Sequence, residues 1–177
     1  TYSEDRQTYF AYANTNGEGV VENNKLKKHN FNFRETANFF NNKLTVDANI
    51  NLMHQMANNR TVSGGYYMNP LVGLYHFPRG GSVQGGESFS YYKNNYQYMD
   101  AGRNMYLQNW YPTGLTTMEQ NPYWLINKTP SEDKRVRGIA GLSLKYKIND
   151  YFTLQGRGNA DYISDKYEQK IYAGTHA

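Results

Sequence analysis

The chain has 177 residues, a net charge of +4 and a sequence pI of about 9.1, a length that ordinarily makes one domain. Only 38% of residues are hydrophobic, mean hydropathy is -0.87, and the 18 tyrosines outnumber every aliphatic type, so a water-soluble core would be thin, yet strand formers and aromatics are too frequent for a disordered chain. The absence of cysteine excludes disulfides and thiolate metal sites, no run nears the roughly 18 apolar residues of a membrane helix, and the dispersed basic residues speak against nucleic acid.

In chain order, a first strand is expected near 6–14, "QTYFAYAN", whose two registers are both partly aromatic and leave its faces open. The next, near 25–40, puts Phe31, Phe33, Ala37 and Phe39 on one face and Asn30, Asn32, Arg34, Thr36 and Asn38 on the other. Glu35 breaks the apolar register; either a bulge shifts it or that face meets protein. A third strand, near 43–58, alternates Leu44, Val46, Ala48, Ile50 and Leu52 with Thr45, Asp47, Asn49 and Asn51. "FFNNKL" between these two is a tight turn, with Asn41 and Asn42 suited to positive φ.

Residues 61–134 follow without sustained alternation. A strand near 135–148 carries Val136, Ala140, Leu142, Leu144, Tyr146 and Ile148 opposite Arg135, Arg137, Ser143, Lys145 and Lys147. After a turn at Asn149-Asp150, a strand near 151–172 alternates Phe152, Leu154, Ala160 and Tyr162 with Gln155, Arg157, Asn159 and Asp161. Short turns fall on one edge of this sheet, and the connection "NTNGEGVVENN" and the long loop fall on the other. Long strands, oily on one face and polar on the other, with that asymmetry of connections, predict an all-β fold: about five strands of a large antiparallel transmembrane β-barrel. Lipid then supplies the apolar partner that the composition lacks.

The long loop holds both tryptophans and all five prolines, which predicts an ordered, folded-over segment. Its aromatics Tyr91, Tyr92, Tyr96, Tyr98, Trp110, Tyr111 and Trp124 are candidates for a cargo or partner surface, since such rings offer a flat apolar face and a polar tip. The competing reading is that they pack the loop against itself. The polar strand residues Asp47, Asn49, Asn51, Lys145, Arg157, Asn159 and Asp161 are candidates for a lumen lining or a plug-facing wall. No catalytic, cofactor or metal motif is legible: His29, His54, His76 and His176 lack ligand spacing, and "RGGSVQGGES" lacks the end of a phosphate loop and reads as a loop tip.

Three stretches carry a family resemblance: "HNFNFRETANFFNNKLTVDANINL" (29–52), "NPLVGLYHFPRG" (69–80) and "NPYWLINKTPSEDKRVRGIAGLSLKYKINDYFTLQGRGNADY" (121–162). They resemble barrel segments of the SusC/RagA family, TonB-linked outer-membrane transporters of Bacteroidetes. The resemblance implies a barrel of about 22 strands with an N-terminal plug, a TonB-contacting segment, a SusD-like surface lipoprotein as partner, and an oligosaccharide or peptide as cargo. Some five strands without a plug cannot close such a barrel, so the expectation is one partial barrel domain over 1–177, cut from a larger transporter, with an extracellular loop near 61–134. The expected role is import rather than catalysis, in an outer membrane, with outer-membrane lipid as a further partner. The alternative is a secreted all-β carbohydrate-binding module, in which the apolar registers face one another across a sandwich.

Overall fold

The computed structural model of the protein describes residues 2–3, 5–62, 68–79, 87–111 and 119–176. It is predominantly antiparallel β-sheet. The elements are β1 (Tyr2–Ser3), β2 (Arg6–Glu18), β3 (Lys25–Phe39), β4 (Leu44–Asn58), α1 (Pro70–His76), α2 (Phe89–Asn94), β5 (Gln97–Asp100), β6 (Met105–Gln108), α3 (Pro122–Lys128), β7 (Ser131–Lys147) and β8 (Thr153–Gln169). Six strands form one sheet in the order β1-β2-β3-β4-β7-β8, a meander interrupted once, and β5 and β6 form a separate two-stranded sheet. The long strands run 13 to 17 residues, against about 5–6 in ordinary soluble proteins.

Two compact units share the chain. The first comprises Thr1–Gly17, Leu26–Ala57 and Asp133–Lys166, and the second Glu18–Lys25, Asn58–Glu132 and Tyr167–Ala177.

In the first unit the two short turns follow from side-chain chemistry. Asn41 and Asn42 adopt φ of 50° and 64°, and Phe40 joins them at 55°. Asparagine tolerates this left-handed region through its short polar side chain; a bulky ring there is uncommon. Between β7 and β8, the Asn149 carboxamide oxygen accepts from Tyr151 N at 3.0 Å and Phe152 N at 2.8 Å, so the side chain stands in for a backbone turn.

The alternation predicted for β3 survives Glu35. Arg34 and Thr36 both donate to the Asp47 carboxylate on β4, at 2.6 Å and 3.0 Å. Residues two apart therefore share the polar face, and Glu35 between them stays in the apolar register without a bulge. Its carboxylate is answered from β2 by Arg6 Nε and by Thr8 Oγ1. A face that is oily elsewhere tolerates this acid because its oxygens are bonded to a guanidinium and a hydroxyl.

Element ends differ from the sequence expectation where backbone pairing outlasts side-chain alternation. β2 continues to Glu18, so the connection to β3 shrinks to residues 19–24, closed by Gly19 N donating to Asn24 O at 2.8 Å. β7 begins at Ser131. There Asn59 and Ser131 are tied twice, Asn59 N to Ser131 O at 2.8 Å and Ser131 N to Asn59 Oδ1 at 2.9 Å.

The second unit replaces the expected long loop with three short helices and the β5–β6 hairpin. α1 and α3 start alike. Asn69 and Asn121 cap them, accepting from Leu71 N (3.0 Å) and Tyr123 N (2.8 Å), and Pro70 and Pro122 occupy the first turn. An Asn-Pro pair is a helix start because proline lacks only an N–H that the first turn leaves unpaired. α2 is capped by Ser88, which accepts from Tyr91 N. Of the glycine-rich stretch 79–88, residues 80–86 lie outside the described residues.

Candidate functional site

The polar face of the first unit gathers the candidate wall residues. A Cβ added at Gly141 on β7 would run into Asn49 Oδ1 on β4 and would lie 2.8 Å from Asn159 Oδ1 on β8. The two carboxamides thus converge over a bare backbone. Asp47 binds Arg34 and also feels the charge of Arg157. Asp161 takes a two-pronged bond from Arg137, at 3.1 Å and 2.5 Å, and Asp165 a similar one from Arg135, at 2.6 Å and 2.7 Å. Asn51 and Lys145 lie in the same registers, Asn51 half-buried and Lys145 exposed.

Toward the turn side of β3 and β4, this face forms a recess of about 750 Å³ lined by Gln7, Tyr9, Asn32, Arg34, Thr36, Asp47 and Asn49. The open faces of β2 are thereby assigned: Gln7 and Tyr9 lie with the amides. Tyr12 lies with the apolar register, its ring 4.7 Å from that of Phe31. Alternation alone could not choose, because tyrosine serves either environment.

The surface is dense in donors and acceptors: Arg34 answers Asp47, Arg137 answers Asp161 and Arg135 answers Asp165 across neighbouring strands.

The aromatic candidates fall in the second unit, mostly inside it. Trp124 is 1% exposed and packs with Met68 and Leu125, with Tyr96 against them. Tyr92 and Tyr111 are buried with Phe77, flanked by Phe89 and Trp110. Phe77 is the hub: its ring centroid lies 5.2 Å from Tyr111 at 84° and 5.6 Å from Trp110, mostly in the edge-to-face geometry that aromatic quadrupoles prefer. Of the seven candidates, Tyr91 (41% exposed) and Tyr98 (49%) present broad faces to solvent. A ring that is closed in by neighbours holds the unit together and offers a ligand no face.

The polar centre of this unit was not singled out from sequence. Asn121 is fully buried and saturated: Nδ2 donates to Tyr92 O (3.0 Å) and Asn109 O (2.7 Å), and Oδ1 accepts from Tyr123 N and Trp124 N. Gln120 beside it bridges the backbone of His176, accepting from its N at 2.9 Å and donating to its O at 2.8 Å. The capping signal of Asn121-Pro122 was present in the sequence; the convergence of segments near 92, 109 and 176 on one amide pair was not.

Two further constellations complete the unit. His76 Nδ1 and Tyr111 Oη both reach the Glu119 carboxylate. Burial, reinforced by that carboxylate's charge, pushes the Tyr111 phenol up to about 12. The Lys128 ammonium stands between the rings of Tyr106, Trp124 and Tyr172, at 5.8, 6.0 and 5.1 Å. Lys93 lies over Tyr123 and bonds Glu22, and these two partners, Tyr123 foremost, raise its pKa.

Among the described residues, no group of three or more His, Cys, Asp and Glu is placed to hold a metal ion. No helix of the described residues is long and apolar enough to cross a membrane. No family model matches the chain, and no curated protein is significantly similar to it.

Proposed function

We propose that this chain forms part of the wall of an outer-membrane β-barrel importer of the SusC/RagA kind, with lipid on the apolar face and a lumen or plug on the amide face. In that reading a SusD-like lipoprotein and TonB are partners of the whole transporter, and oligosaccharides or peptides are the cargo. One observation carries it. Long strands in a single sheet present a largely apolar face, broken by the Arg6, Thr8 and Glu35 cluster, that stays open among the described residues: Phe33, Ile50, Leu142 and Leu154 are 39, 44, 48 and 65% exposed.

Dimensions agree. Apolar registers spanning nine residues, Leu44–Leu52 on β4 and Leu154–Tyr162 on β8, rise roughly 26 Å at about 3.3 Å per residue. A strand tilt of about 40° turns that into roughly 20 Å of membrane depth, close to the apolar band of about 25 Å that such barrels expose. In a secreted sandwich the same face would need a second sheet against it, and the only other sheet among the described residues is the short β5–β6 hairpin, assigned to the second unit.

The test is extraction of the protein from membranes, followed by electrophoretic mobility with and without heating. A detergent requirement, a heat-dependent mobility shift and co-purification of a surface lipoprotein are expected. Cooperative folding as a soluble monomer without detergent would overturn the reading in favour of a secreted binding module.

A further inference from the structure

The apolar face of the first unit ends at the same level on two neighbouring strands, and it ends in nitrogen. On β3 the outward register reads Phe39, Ala37, Glu35, Phe33, Phe31, then His29 and Lys27; on β4 it reads Leu44 to Leu52, then His54. His29 and His54 face one another across the two strands, ring centroids 6.4 Å apart and planes within 19°. From β2, Tyr12 Oη lies 2.8 Å from His29 Nδ1. Lys27 and His54 are exposed, and His29 is half-buried beside them.

We propose that Lys27, His29 and His54 form a binding site for the phosphate of a lipid headgroup, in the leaflet on the side away from the short turns. This rests on the membrane-wall reading above. The Tyr12 hydroxyl engages Nδ1 of His29 and leaves Nε2 as the ring nitrogen that can meet a phosphate oxygen. His54 adds a second imidazole and Lys27 an ammonium. From Phe39 to His29 the strand rises about 33 Å, or about 25 Å along the normal at a tilt of about 40°. The cluster therefore falls at the boundary between hydrocarbon and headgroups, where a cation can neutralise phosphate without burying its own charge. On this face of the first unit the Glu35 carboxylate is paired with Arg6.

The experiment is reconstitution of the protein into lipid nanodiscs of phosphatidylcholine mixed with phosphatidic acid, with retained lipids counted by native mass spectrometry. Wild type is expected to retain phosphatidic acid over phosphatidylcholine. Lys27→Gln should cut that enrichment about fivefold, the effect of one basic residue near a membrane surface, and Lys27→Gln with His29→Gln and His54→Gln should abolish it. Lys93→Gln, which removes a charge in the second unit, should leave it unchanged.

Wild type that inserts without any preference would overturn the headgroup site and leave the barrel wall standing. Failure to insert into either lipid would overturn both. Loss of the enrichment in excess inorganic phosphate, with that ion bound equally well by the detergent-solubilised protein, would mark a general anion site and overturn the lipid assignment.

Discussion

At the residue scale, buried polar groups carry the sharpest consequences. Asn121→Ala would strip partners from the Tyr92 and Asn109 carbonyls and from the first turn of α3. Leaving buried acceptors unpaired costs about 1–3 kcal/mol each, so a loss of at least about 3 kcal/mol is expected in denaturant unfolding of the protein in detergent micelles. Arg6 and Glu35 form a second case. Arg6→Ala should destabilise by removing the guanidinium from the Glu35 carboxylate and leaving Thr8 as its hydrogen-bond donor, and adding Glu35→Gln should recover most of the loss, read as a double-mutant cycle. Equal losses in the single and double variants would show that the pair is incidental. Tyr111 offers a pH test. Its phenol holds its proton to about 12 in the fold, against about 10 in an unfolded chain. The folded state thus binds more protons between these values, and the tyrosine's contribution, whole below about 10, is lost as pH rises toward 12. Tyr111→Phe should flatten alkaline destabilisation in that window.

At the element scale, glycines separate rigid from yielding contacts. A Cβ at Gly73 in α1 would sit 2.5 Å from Gln120 O and 3.3 Å from Pro122 Cδ, so backbone would have to move. Gly73→Ala should cost about 1–3 kcal/mol, the range for overpacking. At Gly141 the obstacles are the tips of Asn49 and Asn159, which can rotate away. Gly141→Ala should therefore cost much less in thermal unfolding; a larger loss than at Gly73 would mean that the two carboxamides are locked in place. The long strands were legible in the sequence because alternation over a dozen residues has no other simple cause. α1 and α3 were not, although each announces itself as Asn-Pro. Seven residues are too few for helical periodicity to stand out, so the capping pair was the whole signal.

At the scale of the whole molecule, both edges of the six-stranded sheet are outermost strands, β1 and β8, and β8 is exposed along its entire length. Long open edges are strand-pairing sites. In a barrel these edges meet neighbouring strands; a β8 left open should exchange its amide hydrogens faster than β4, which is paired on both sides. Hydrogen exchange on the protein in micelles checks this: strong protection along β8 is the mark of a further strand against it. The candidate wall was readable from one dimension, since a period of two assigns Asp47, Asn49, Arg157, Asn159 and Asp161 to one face without knowledge of the neighbours.

What the sequence determined by itself is therefore everything governed by near neighbours along the chain: strand periodicity, the Asn-rich turns, and the split into an oily and an amide face. Tertiary structure decided what depends on meetings between distant segments. It placed Arg6 and Thr8 on Glu35, stacked His29 on His54, and turned Trp124, Tyr92 and Tyr111 from candidate platforms into packed interior. A tyrosine or tryptophan is chemically suited to a core, a ligand or a membrane boundary alike. Only the three-dimensional neighbours choose among these, and they come from positions tens of residues away.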